Sequence, residues 1–340
     1  MRNATDVGRV HPAVAPGAGS RRQAVAVAAS AVALAALIGG VRLAEPDPDE
    51  RSRPAAAGAD ATPAATTTPS EPAPTAGVRG EVAGEERPPT ATPDPVPTGY
   101  AADAVALVDA AATALPSATI GVAVLDRVTG ERGDGAAAGA PQYSASIVKL
   151  LVAVDVLDQR YRGRELTEGD LALLRRALGP SDDAAMNALW SRFDGAGGVA
   201  RTAQRLGLTA TRPPDDPSQW GETVTSASDV VVVLEHVLDG MADEDEELLV
   251  AALTAAPATA ADGFDQAFGL LAGGPSPDVA AKQGWMCCIG GEVQLHSAGV
   301  VGPDRRYVVA LLTSQPRSTG YGGGRAAADV LAGAARSALR

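Results

Sequence analysis

Beyond residue 100 the spacing of apolar positions changes period several times along the chain. Residues 100–115 (YAADAVALVDAAATAL) place apolar side chains at helical steps of three and four. Residues 118–135 (ATIGVAVLDRVTGERGDG) switch to alternation and predict a strand, a Gly-centred turn and a second strand. A largely helical middle runs from Ser146 to about Ala255. Near the end, DVAAKQG (278–284), GEVQLHSAGVVG (291–302) and RRYVVALLTS (305–314) read as three strands parted by Gly or Pro turns. The helix GRAAADVLAGAARSALR (324–340) closes the pattern. Strands from both ends then join one antiparallel sheet, an α/β (α+β) fold with the terminal helices on one face and the helical middle on the other.

The first hundred residues carry no such period. Residues 1–22 hold Arg2, Arg9, Arg21 and Arg22 against one acid, Asp6, and Ala24 to Val41 is uncharged. Arginines before the apolar run and acids after it (Glu45, Asp47, Asp49, Glu50) set the N-terminus in the cytoplasm and the rest outside. The expected organisation is a cytoplasmic tail (1–22), a signal anchor or signal peptide (23–41), a linker (42–99) and a folded domain (100–340). An uncleaved anchor is favoured, because no good A-x-A site follows the run. No Cys stands just beyond it either, which excludes a lipid anchor. The Pro/Ala/Thr-rich linker cannot bury enough apolar surface to fold and is expected to be a disordered, extended tether.

Composition narrows the chemistry. A net charge of −13 argues against nucleic acid, which is held by basic stripes. His11, His236 and His296 are scattered without metal-ligand spacing, so no metal or cofactor is expected. Cys287 and Cys288 are adjacent; two free thiols are the favoured state, with a vicinal disulfide or a bridge between chains as alternatives. Of 28 basic residues only Lys149 and Lys282 are lysines. Arginine stays charged, whereas a desolvated lysine can give up its proton and act as a base.

Both lysines sit in short motifs. Ser146-Ile147-Val148-Lys149 opens an apolar helix, and residues three apart share a helix face, so the amine can reach the Ser146 hydroxyl. A serine needs such a neighbouring base to become a nucleophile. Ser181-Asp182-Asp183 stands where a loop enters a helix, which also suits an ordinary N-cap. Lys282-Gln283-Gly284 lies on a late strand, where Gly allows close backbone approach and Lys offers charge to an anion.

In this order, S-x-x-K, S-D-x and K-x-G resemble the three motifs of class A serine β-lactamases and the related D,D-peptidases. The resemblance spans nearly all of 100–340. It implies that Ser146 is the acylated nucleophile, that Lys149 is its base or a partner of that base, and that Ser181 relays a proton to the leaving nitrogen. Lys282 would hold a substrate carboxylate, with Asp183, Gln283 and Gly284 also against the substrate. The backbone N–H groups of Ser146 and Trp285 would form the oxyanion hole. Asn187 matches a structural asparagine of the family.

Three departures bear on function. Asp183 stands where the family has Asn, and an anion there favours protonated Lys149. Gln283 replaces a small hydroxyl residue. The glutamate that class A enzymes use to activate water has no clear counterpart; Glu222, Asp215 and Asp216 are weak candidates. Ser146 and Ser181 are also only 35 residues apart, which implies a reduced helical subdomain. The first expectation is a β-lactamase that acylates Ser146 and hydrolyses the adduct. A D,D-peptidase-like acyltransferase on cell-wall peptides is the second. A tethered domain that binds penicillin or peptidoglycan with little turnover is the third. Each takes a small β-lactam or cell-wall peptide as partner, outside the membrane; oligomeric state stays open.

Overall fold

The computed structural model describes residues 96–339. The tail, the anchor segment and the linker up to residue 95 lie outside the described residues. The five-stranded antiparallel sheet expected from the alternating segments comprises β1 (Thr119–Asp126), β2 (Glu131–Asp134), β5 (Val279–Cys287), β6 (Glu292–Val301) and β7 (Tyr307–Pro316), in the order β2-β1-β7-β6-β5. A second, two-stranded sheet pairs β3 (Gln142–Tyr143) with β4 (Val224–Thr225).

Alternation divides the sheet into two cores. Val122, Val124, Val309 and Leu311 point to one face, where they pack with Ala104 and Val108 of α1 (Tyr100–Ala112) and Leu331 and Ala335 of α8 (Gly320–Ala338). Their sequence neighbours Ala123, Leu125, Val308, Ala310 and Leu312 point to the other face, toward the helical middle. A slip of one residue would exchange the two sets, so burial on both faces fixes the register.

The helical middle is organised around α2 (Val148–Arg160), whose residues from Val148 to Leu157 are all buried. A helix that is apolar all round can only sit inside. Replacing Leu150 or Leu151 by Ala there would cost about 2–5 kcal/mol. The helix's one buried acid, Asp155, is held by Arg201 of α5 (Gly195–Leu206) through two hydrogen bonds, of 2.9 and 2.8 Å. Around α2 stand α3 (Glu168–Leu178), α4 (Asp183–Arg192), α6 (Ala227–Asp239) and α7 (Asp243–Thr254). Thr167 and Asp170 form a capping box on α3. The acidic run from Asp243 opens α7, where negative charge favours a helix start.

Candidate active site

Three chain segments meet between β5 and the helical middle. The first is Ala145–Ile147, a single 3₁₀ turn leading into α2 rather than the α-helical start expected at Ser146. Ala145 has φ 46°, a left-handed value that costs a residue with a Cβ, and it immediately precedes Ser146. Ser146 is 5% exposed. Because Lys149 belongs to a helix buried on every side, its amine is drawn indoors, and it is 1% exposed.

The second segment is the loop Ser181–Asp182 at the head of α4. Asp182 caps the helix, accepting from the backbone N–H groups of Ala184 and Ala185, so the N-cap role falls to this residue. Ser181, with φ 56°, is left to face inward. Its carbonyl and its hydroxyl oxygen both accept from Lys149 Nζ, at 2.8 and 3.1 Å. Asp183 Oδ1 accepts from the same amine at 2.6 Å.

The third segment is β5, the edge strand. Lys282, fully buried, donates to Ser181 Oγ at 2.8 Å and to the carbonyl of Gln283 at 2.7 Å. Gly284 allows this strand to lie against the serine segment: a Cβ there would sit 3.1 Å from the Ser144 carbonyl and 3.2 Å from Ile147 Cγ1. His296, on β6 opposite Gly284, donates from Nε2 to the Tyr143 carbonyl at 2.7 Å and accepts at Nδ1 from the Thr313 N–H. Its burial lowers its pKa to about 4, so it braces the strand before Ser146 as a neutral ring.

Electrostatics follow from this packing. Burial lowers the pKa of Lys149, and the carboxylate of Asp183 pushes it back up. Lys282 lies well below the ordinary lysine value through burial and through the charge of Lys149. Both amines donate to one hydroxyl, which occupies both lone pairs of Ser181 Oγ and leaves its own proton free to be given elsewhere.

The cleft itself, about 270 Å³, is lined by Ser146, Asp183, Trp220, Gly221, Trp285 and Met286 among others. Trp220 has its ring centroid 5.0 Å from Lys149 Nζ and its indole N–H on Asn187 Oδ1 at 2.8 Å. Among the described residues Asp183 is the only acid that lines the cleft. Glu222 ends the short turn Trp220–Glu222 without lining it, and Asp215 and Asp216 are exposed on the loop before it.

A model of the β-lactamase enzyme family matches residues 170–339, half of the chain and the stretch that contains Ser181 and Lys282. The chain belongs to this family. Proteins named "Putative lipoprotein LppW" from Mycobacterium tuberculosis and Mycobacterium bovis are 38% identical over 205 residues. That match covers 58% of this chain and 64% of theirs, so the chain spans less than two thirds of these relatives. Among solved structures, a class A β-lactamase from Mycobacterium abscessus is similar with TM-score 0.53 and 19% identity, over 70% of this chain and 98% of that one. A β-lactamase from Chitinophaga pinensis gives TM-score 0.56 and 15% identity, over 70% and 99%. A structure described as PBP-A gives 0.53 and 18%, over 69% and 96%. At these identities the structures establish the fold. The family resemblance and fold class read from the motifs are borne out.

Within that frame several residues stand differently from expectation. All three hydrogen bonds of Lys149 Nζ go to Ser181 and Asp183, and none to Ser146, because the Asp183 carboxylate competes for the amine. Lys282 is fully buried beneath Ser181 and is not among the residues that line the cleft. Strand alternation turns Gln283 away from the cleft, where its amide donates to the carbonyls of Gln266 and Phe268. Cys287 and Cys288 are paired with each other, not left as the free thiols expected. Sequence reasoning missed Trp220, although its place beside Gly221 and Glu222 in the loop was in view.

Proposed function

We propose that this domain is a penicillin-binding, peptidase-like serine hydrolase, which forms an acyl-enzyme on Ser146 and releases it slowly. Lys149, once it has lost a proton and turned from Asp183 toward Ser146, takes the Ser146 proton as Oγ attacks the carbonyl carbon of a β-lactam or a cell-wall peptide. The developing oxyanion is met by the backbone N–H groups of Ser146 and Trp285. As the tetrahedral intermediate collapses, the C–N bond breaks and Ser181 gives its proton to the leaving nitrogen. The proton held on Lys149 then reloads Ser181, at the 3.1 Å hydrogen bond already in place.

The observation that carries slow release is the wall facing Lys149. It presents the indole of Trp220, bonded to Asn187, where a water-activating carboxylate would be needed. Asp183 is committed to Lys149 and is itself half exposed. Export fits the same reading: the domain would stand outside the membrane on the linker 42–99, held by the apolar segment 23–41. The mycobacterial relatives are named lipoproteins, but this sequence has no cysteine before Cys287 to carry a lipid, so the apolar segment would be the anchor.

The test is to incubate the full chain with a fluorescent penicillin and, separately, a chromogenic cephalosporin. A stoichiometric adduct with little coloured product is expected. Rapid product release would make the protein a β-lactamase, and absence of any adduct on folded protein would contradict acylation at Ser146.

A further inference from the structure

A second polar pocket of about 260 Å³ lies between the small sheet and one end of the large one, and it shares no lining residue with the cleft. Its walls include Gln142 and Tyr143 of β3, Arg212 beside β4, and Glu292, Gln294 and Ser314 of β6 and β7. Gln142 is 5% exposed and Gln294 1%. In each, the side-chain carbonyl oxygen is buried without a hydrogen-bond partner. Buried polar atoms are nearly always satisfied, so two orphaned acceptors on residues that line one pocket can be met by a donor that enters it, once a small side-chain shift uncovers them.

The orientation of both amides is fixed by their other ends. Gln142 Nε2 donates to the Leu312 carbonyl at 3.3 Å; turned round, the amide would set oxygen against oxygen. Gln294 Nε2 donates to Ser314 Oγ at 3.2 Å, and the Ser314 hydroxyl spends its proton on Glu292. Both oxygens are therefore left over. Across the pocket Arg212 is exposed, and among the described residues no carboxylate pairs with its guanidinium.

We propose that this pocket binds a small zwitterion of the α-amino acid class. Its ammonium donates to the carbonyl oxygens of Gln142 and Gln294, on the side where Glu292 adds negative charge, and its carboxylate meets Arg212. A simple anion would face two carbonyls and a carboxylate, and a simple cation would leave Arg212 unused. The volume falls below the range of about 300–1,000 Å³ typical of drug-sized ligands, which suits a molecule of a few heavy atoms.

Isothermal titration and saturation-transfer NMR of the full chain test this with glycine, D-alanine and L-alanine, and with acetate and methylamine as half-ligands. At least one amino acid should bind saturably, with each half-ligand about tenfold weaker or worse, the equivalent of one lost charged hydrogen bond. Gln294→Met and Arg212→Gln, checked for native melting, should each weaken binding by a similar factor of about ten. No saturable binding of any of the three amino acids would overturn the proposal. So would acetate or methylamine binding as well as the amino acids, or wild-type affinity in both folded variants. Binding is read without acylation of Ser146, so failure here is separate from failure of the proposed function.

Discussion

The floor of the cleft and its loop wall are built by different means. The floor draws its chemistry from the core: α2 carries Lys149 inside because every neighbouring position is apolar, and β5 carries Lys282 to full burial. Desolvation then does what acylation needs, turning amines toward their neutral, basic form. The wall is a surface loop whose acids at 215 and 216 remain exposed, and the side chain it sets over Lys149 is an indole. Burial tunes a base without further design, whereas hydrolysis of an ester needs a carboxylate aimed at a water. The fold supplies the first; under the proposed function the loop acids do not supply the second.

The largest expected effect falls on the floor. Lys149→Arg should lower the rate of penicillin labelling by about 10²–10⁴-fold, since arginine cannot serve as the base. Labelling at the wild-type rate would remove Lys149 from the chemistry and break the comparison. Gly284→Ala comes next, because its Cβ would press on the Ser144 carbonyl and Ile147 and displace the serine segment. The segment must give by a few tenths of an ångström, so labelling should slow by about tenfold, short of the roughly 10²-fold loss that goes with a 1 Å shift.

Asp183→Asn should act in the opposite direction. The carboxylate raises the Lys149 pKa, so its removal lets the amine lose its proton at lower pH. The acidic limb of the pH–rate profile should move to lower pH, with faster labelling near neutrality. An unmoved limb would show that Asp183 does not hold the lysine in its charged form. The smallest effect is on stability. Lys282 has a depressed pKa in the fold, so from that value up to the ordinary 10.5 the unfolded chain holds a proton that the folded chain does not. Wild-type stability should therefore rise with pH across this window. Lys282→Met should melt roughly 2–4 °C higher at pH 7 for each kcal/mol recovered, and this advantage should shrink toward pH 10.5. Melting curves of both proteins at several pH values decide it.

Much of this was legible in the sequence where a period or a motif spans many residues. Strands β1, β6 and β7 are largely apolar runs because both faces of the sheet are covered, and α2 is apolar over most of its length. The order of the three motifs points to Ser146, Ser181 and the two lysines as one cluster. What escaped was set by tertiary packing. Strands β3 and β4 are two residues each, too short for a period. The left-handed Ala145 before Ser146 is held by its surroundings, not by its type. Lys282 and Gln283 carry the same spacing whether they face the cleft or the interior. Trp220 stands over Lys149 only because Asn187, 33 positions earlier, holds its indole N–H.

The most direct test of the contrast between floor and wall is a pulse–chase by intact mass. Wild type and Ser146→Ala are treated with penicillin, freed of excess drug and followed with time. The account predicts a single adduct on the wild type, mapped to Ser146 and persisting through the chase, and none on the variant. Rapid loss of the adduct with release of hydrolysed penicillin, or an adduct that forms equally well without Ser146, would contradict it.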